Sequence, residues 1–468
     1  MTTSLWTAFE IAAAADGEVQ GAFVSTGVAF DSREVSPGDL FVALKGEVTD
    51  GHRFVAGAFE RGAAGAIVSE PIDHPHVLVN DTMAALEAIA SEGRARSSAQ
   101  IIGVTGSVGK TGTKEALFEA LDRKVPGKVH RSIKSYNNHT GVPLSLARMP
   151  PDMRYGVFEM GMNHPGELAH LTQLVRPHVA IVTAIAPAHA AYFPDESAIA
   201  DAKGEIFQGL QPGGTAIIPY DSPHRQRLIE AARPHAARIL TFGRDEGADV
   251  RALEELPLSD GSTLLSVLLP ESQLTFSLSQ PGEHWVSNAL AVLAAVEALG
   301  GDAAAAGVAL ADMKGLPGRG IRVKANVDDG QALVIDESYN ANPASMAATL
   351  KQLGREKADR KVVILGEMRE LGTQSPRYHA ELAQPMLDAG VEAALLVGHD
   401  MAALADRLEG RMKLRHVADA AAALKSLPEF ITPGDVILIK GSNAIGLSRI
   451  VKALGDGALA SGKTTCSI

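Results

Sequence analysis

Short runs rich in valine and isoleucine recur along this 468-residue chain, each followed by a glycine-containing turn and then a longer stretch of helical character. That alternation confines the chain to α/β architecture, because continuous apolar strands separated by helices are covered on both faces and pair in parallel. The expected strands are Ile101–Thr105, Tyr155–Met160, Val179–Ile185, Thr215–Pro219, Ala332–Asp336, Lys361–Leu365, Ala393–Val397 and Val436–Lys440. Two stretches break the series: the polar, arginine-containing segment Ser91–Gln100 and the GLPGRG segment Gly315–Gly320. At roughly 100 to 200 residues per domain, the expected division is into three domains, 1–98, 99–314 and 315–468. The central one should hold a mostly parallel sheet with helices on both faces. Ala303–Ala306 reads as helix-forming sequence, and no internal repeat is visible.

The strongest chemical signal is IIGVTGSVGKTGTK, residues 101–114. An apolar strand runs into a glycine-containing loop and then a helix expected to continue through Leu121. Phosphate binding needs small residues so that backbone N–H groups curl round oxygens, a lysine for the terminal phosphates, a hydroxyl for Mg²⁺ and a helix N-terminus behind them. Gly106, Gly109, Lys110 and Thr111 supply these parts, with Ser107, Val108 and Gly112 completing the loop. The strict pattern G-x-x-x-x-G-K-S/T fails here because position 104 is valine. It is met instead at Gly457–Thr464, where only Thr465–Ile468 follow, too few for the required helix. A nucleotide is therefore expected at residues 103–111.

Ligands of open parallel sheets gather beyond the carboxyl ends of the strands. Glu159 falls there, and His189 follows Val179–Ile185 after a turn at Pro187. Each alone also fits a sheet-edge charge or a turn residue; together, beside a phosphate loop, they suit a Mg²⁺ site shared with nucleotide phosphates. Lys203 is the odd residue. In the expected helix Asp195–Leu210 it shares a face with Ile199, Ile206 and Leu210, while Asp201, Glu205 and Gln208 take the opposite face. A desolvated lysine has a depressed pKa, and its neutral amine can take up CO₂ to become a carbamate, an oxygen ligand for Mg²⁺. Snorkelling to the surface is the alternative.

These residues resemble the Mur ligases, ATP-dependent amide-forming enzymes of peptidoglycan synthesis. DSREVSPGDLFVALKGEVTDGHRF (31–54), TGSVGKTGTKE, SYNNHTGVPLSL, EMGMNHPGE, PAH and AKGEI follow in family order, and the resemblance covers nearly the whole chain. In the last domain DESYNANPASM and GEMRELG are most similar to the branch that adds D-alanyl-D-alanine to UDP-N-acetylmuramoyl-tripeptide through an acyl phosphate.

The resemblance implies a UDP-sugar-binding N-terminal domain, a central ATP-binding domain and a C-terminal Rossmann-like ligase domain. It also implies ATP and two Mg²⁺ ions. Lys110, His189 and Lys203 would be catalytic, and Thr111, Glu159, His189 and carbamylated Lys203 would hold metal. His284 and Asn288 would contact the adenosine, with Arg319, Asp336, Tyr339, Asn340 and Asn342 closing on ATP. Ser32 and Arg33 would sit near the uridine diphosphate, and Asn137, Asn138 and Thr140 near the muramyl peptide. Trp285, where the family usually has asparagine, the loop Ala190–Asp195 and His139 depart from the family pattern.

Composition narrows the alternatives. A net charge of −12 argues against coating nucleic acid or anionic lipid, so an anionic ligand must meet a local positive pocket. The one cysteine, Cys466, permits no intrachain disulfide and no cysteine-based metal cluster. Neither a basic leader nor a membrane-spanning apolar run is visible, so a soluble cytoplasmic protein is expected; a monomer is the expected state. Two rival readings remain: the ligase adding the third amino acid, diaminopimelate or lysine, and a P-loop switch using ATP for conformational work.

Overall fold

A computed structural model describes residues 4–46, 49–187, 192–259 and 261–460. Three α/β lobes follow one another, each built round its own sheet. The first has five short strands, ordered Glu18–Gln20, His76–Leu78, Gly65–Val68, Asp39–Val42 and Gly27–Ala29, parallel except at the first pair. The second has nine strands. Its parallel part runs from Val129–Arg131 through Tyr155–Glu159, Gln100–Thr105, Val179–Val182, Thr215–Pro219 and Arg238–Gly243 to Val250–Pro257. The antiparallel strands Thr263–Leu268 and Gln273–Leu278 extend it. In the third lobe seven strands form a sheet that is parallel except where Ile321–Asp328 pairs with Gly330–Glu337.

The apolar runs read as strands all lie in sheets, and most are buried from end to end. Two stop early for a local reason. The strand at Val179 ends at Val182 because Thr183 turns to the phosphate loop, its Oγ1 donating to Val108 O at 2.5 Å. The strand at Tyr155 ends at Glu159, whose side chain already belongs to the cleft. The expected helix Asp195–Leu210 is α-helical only over Glu196–Gly204, capped by Asp195 Oδ1, and tightens to 3₁₀ over Glu205–Gly209. Close packing explains the change: a Cβ on Gly209 would lie 2.2 Å from Thr172 O, and Thr172 Oγ1 donates to Ile206 O. The burial face holds: Ile199, Lys203 and Ile206 are buried, whereas Asp201 and Gln208 are exposed.

Register decides where chemistry collects. Glu159 pairs with Val104 and Val182 with Thr105, so the phosphate loop, Glu159 and Thr183 share one carboxyl edge. In the third sheet Glu337 pairs with Lys440, at the carboxyl ends of both strands. No helix among the described residues is long and apolar enough to cross a membrane.

The first lobe is bolted to the second by Arg94, on the helix Thr82–Ala95. Its guanidinium is almost fully buried and donates to Val175 O at 2.8 Å and Arg176 O at 2.9 Å, satisfying carbonyls at the C-terminus of the helix Glu167–Val175. Burial lowers its pKa to about 10. Arg94→Ala should cost about 2 to 4 kcal/mol of stability by stranding those carbonyls and opening a void. Urea unfolding that shifts by less than about 0.5 kcal/mol would contradict this packing.

Candidate functional site

The strand Gln100–Thr105 runs into a loop that tolerates only glycine at two points. Gly106 has a φ of 148°, and a Cβ there would stand 1.9 Å from Thr183 Oγ1; Gly109 has a φ of 86°, and its Cβ would come 2.6 Å from Asn288 Oδ1. Ser107 Oγ donates to Ala186 O at 2.9 Å, pinning the loop to the next strand's exit. The helix Lys110–Asp122 starts directly behind it, so its unpaired N–H groups face the loop. Lys110 Nζ folds back to donate to Gly106 O at 2.6 Å. A Cβ at Gly112 would press on Asn288 Nδ2 at 3.0 Å and on the Trp285 indole at 3.2 Å, so glycine there makes room for this tryptophan.

Glu159 is only 1% exposed. Thr111 Oγ1 donates to its Oε2 at 2.8 Å and Asn137 Nδ2 to its Oε1 at 2.7 Å, leaving both oxygens oriented at the loop. Lys203 is fully buried, and its Nζ meets no hydrogen-bond partner among the described residues. Burial, with the charge of Lys110 adding to it, pushes this amine well below the usual lysine range. Burial likewise lowers Lys110, opposed by Glu159. Lys203 is not among the residues lining the cleft, and among the described residues Lys110 is the one charged group that bears on its amine; a neutral lysine amine that takes up CO₂ becomes an oxygen ligand suited to a hard cation. Among the described residues no three His, Cys, Asp or Glu side chains cluster as a metal site. His189 lies outside the described residues.

The third lobe closes over this edge to bound a cleft of about 860 Å³. Arg319 donates from Nη2 to Thr111 Oγ1 at 2.9 Å, and its guanidinium lies 4.5 Å from the centroid of the Tyr339 ring. Asn340 and Asn342 line the same wall, Asn342 also capping the helix Pro343–Arg355. His284 and Asn288 line the opposite wall, and burial holds the His284 imidazole below its usual range.

Not every expected residue reaches the cleft. Asp336 is a brace: Oδ1 accepts from Ser338 Oγ at 2.6 Å and Oδ2 from Gly318 N at 2.9 Å, which sets the turn that aims Arg319. Asn137 and Asn138 line the cleft, whereas Thr140 sits at the start of the helix Gly141–Ala147, its hydroxyl donating to Asn138 Oδ1. Ser32 and Arg33 lie on the first lobe away from this cleft, with Arg33 largely exposed and paired to Asp31. Three groups escaped sequence reading. Lys440, buried, donates to Asn340 O at 2.9 Å and lies 3.4 Å from Glu337 Oε2. Both stand at strand carboxyl ends, a placement that would have flagged them. Lys114, one helical turn after Lys110, is fully buried.

The comparisons run the length of the chain. A model described as "Mur ligase family, catalytic domain" matches residues 25–96, "Mur ligase middle domain" 104–296, and "Mur ligase, glutamate ligase domain" 319–443. A UDP-N-acetylmuramoyl-tripeptide–D-alanyl-D-alanine ligase from Rickettsia prowazekii is 32% identical, covering 96% of this chain and 99% of its own. The Escherichia coli protein of that name is 33% identical over 94% and 96%. Among solved structures, MurF from Acinetobacter baumannii superposes with a TM-score of 0.83 at 32% identity, covering 96% of this chain and 99% of that one. MurF from Thermotoga maritima in complex with ADP gives 0.76 at 28% identity, covering 92% and 97%.

Gly106→Ala should weaken ADP binding by about tenfold or more, equivalent to about 1.4 kcal/mol, while leaving the fold's circular dichroism unchanged. Calorimetric affinity equal to that of the unsubstituted protein would show that the loop does not shape the nucleotide site.

Proposed function

Because the chain belongs to the Mur ligase family, we infer that it joins D-alanyl-D-alanine to UDP-N-acetylmuramoyl-tripeptide, consuming ATP to ADP and phosphate in peptidoglycan synthesis, and so contributes to cell shape and division. The observation that carries this reading is the convergence on one hydroxyl. Thr111 Oγ1 meets Glu159 from the central sheet and Arg319 from the third lobe, so closure and phosphate-site assembly are one event.

The chemistry follows from what a carboxylate lacks. Its leaving group would be oxide, so the tripeptide carboxylate first takes the γ-phosphoryl group of ATP, and the amine of D-alanyl-D-alanine then displaces phosphate through a tetrahedral intermediate. The phosphate loop, residues 106–112, cradles the nucleotide with backbone N–H groups, and Lys110 leaves Gly106 O to meet the terminal phosphates. Arg319 adds positive charge from the closing lobe, and closure excludes water from the acyl phosphate. His284 and Asn288 receive the adenosine, and Tyr339, Asn340 and Asn342 complete that wall, with Asp336 setting the Arg319 turn. Asn137, Asn138 and Thr140 lie toward the muramyl peptide, and Ser32 and Arg33 toward the uridine diphosphate. Two Mg²⁺ ions, when bound, neutralise phosphate charge; Thr111, Glu159, His189 and carbamylated Lys203 would hold them. Both walls of the cleft come from one chain, which suits a monomer, and we place the reaction in the cytoplasm with its nucleotide substrates.

Purified protein given ATP, Mg²⁺, UDP-N-acetylmuramoyl-tripeptide and D-alanyl-D-alanine should yield the pentapeptide by mass spectrometry. Preference for diaminopimelate or lysine as the added amine, or ATP hydrolysis indifferent to any amine, would reject the assignment. Lys203→Ala should lose about 100-fold or more in rate, in keeping with loss of a metal-bearing carboxylate, and regain part of it with added acetate or formate. Full activity in that variant would remove the carbamate while leaving the ligase assignment standing.

A further inference from the structure

The segment Lys134–Asn137 has two faces. Ser135 Oγ lies 3.3 Å from Thr111 Oγ1 and Asn137 Nδ2 holds Glu159, so the odd-numbered side chains serve the phosphate end of the cleft. The even-numbered ones reach the first lobe. Tyr136 Oη donates to Glu34 Oε1 at 2.8 Å, and the Lys134 ammonium pairs with the same carboxylate oxygen. Glu34 directly follows Ser32 and Arg33 on one short 3₁₀ turn.

The backbone between these faces is strained. Lys134 has a φ of 54°, in the left-handed region that a side chain makes unfavourable. Strain of this kind persists only where surrounding contacts over-determine it. Here the contact is Lys114, fully buried on the phosphate-loop helix. Its Nζ donates to Ser132 O at 2.9 Å and to Lys134 O at 2.6 Å, pairs with Glu115 Oε1 at 2.8 Å, and lies 4.0 Å from Glu159 Oε2. An ammonium has three protons, and two of them clamp the carbonyls on either side of Ile133.

We propose that Lys114 is a positioning residue that holds the left-handed turn at Lys134 and thereby couples the first lobe to the phosphate site, so that UDP-substrate in one tightens nucleotide in the other. The coupling rests on the ligand assignments made above. It runs along a continuous path: the lobe carrying Glu34, Lys134 and Tyr136, the clamped carbonyls, Lys114, and the helix that bears Lys110 and Thr111. Filling the first lobe fixes Glu34; the turn is then held from both sides, and Ser135 and Asn137 are fixed beside Thr111 and Glu159. Each ligand therefore stabilises the arrangement the other requires, which is reciprocal by thermodynamic necessity.

The test is calorimetric titration of the full chain with a non-hydrolysable ATP analogue and Mg²⁺, with and without saturating UDP-N-acetylmuramoyl-tripeptide. The unsubstituted protein should bind the analogue about fivefold or more tightly when the UDP-substrate is present. In Glu34→Gln and in Lys114→Met that factor should fall below about twofold, and the double variant should lose no more than either single one, because both cut the same path. A lysine that only supports the fold would weaken the analogue alike with and without UDP-substrate, leaving the factor intact. Should Lys114→Met fail to fold, Glu34→Gln and Tyr136→Phe, both on the surface path, carry the test. A folded Glu34→Gln protein that binds both ligands with the original factor overturns the proposal. So does an unsubstituted protein that makes pentapeptide yet shows no factor; one that binds neither ligand overturns the functional reading as well.

Discussion

Lysine amines held out of water around the phosphate loop are the constraint on which the site depends. Lys114 and Lys203 are fully buried, Lys110 is partly so, and Glu159, a deeply buried carboxylate, faces Lys110 and Lys114. Removing a charge from water costs several kcal/mol unless a partner compensates. Lys114 meets that cost with two carbonyls and Glu115, and Lys110 with Gly106 O. Lys203 finds no hydrogen-bond partner among the described residues, and its amine is driven toward the neutral form. Such an arrangement favours an incoming polyanion, even in a chain whose net charge is −12.

Closure adds to the same set of cations. Arg319 brings a further cation to Thr111 from the third lobe, so polyphosphate between the lobes would offset charge on both. The other polar links across that boundary are modest. Lys351 and Arg355 both reach Glu283, but all three side chains are at least half exposed, and exposed pairs contribute roughly 0 to 1 kcal/mol. The second and third lobes are thus joined weakly at the rim and strongly only where a ligand sits. The first lobe differs: buried Arg94 fixes it to the second, leaving Lys134 and Tyr136 to report on what it holds.

The central and C-terminal sheets were legible because their strands are continuous apolar runs, a pattern that water-exposed segments cannot afford. Lys203 was legible for the complementary reason, a cation in an apolar stripe with no sequence reason to be there. The strands from Val250 to Leu278 were not seen, since VRALEELP carries charge and exposed leucines at the sheet's open end. The two- to four-residue strands of the first lobe are too short for any period to register. Asp336 was expected to close on ATP; it does not line the cleft, and its carboxylate accepts from Ser338 Oγ and Gly318 N, a role that only the direction of its oxygens reveals. Lys114 was invisible as a clamp because its partners are carbonyls about 20 residues away, and carbonyls leave no trace in side-chain pattern.

The central claim is that this cleft spends ATP on activating a carboxylate. Tripeptide labelled with heavy oxygen in its terminal carboxylate, turned over with D-alanyl-D-alanine, tests it most directly by mass spectrometry of the released phosphate. Acyl-phosphate formation predicts one labelled oxygen in each phosphate molecule. Phosphate free of label, with the expelled oxygen found in water or in AMP instead, would contradict the claim.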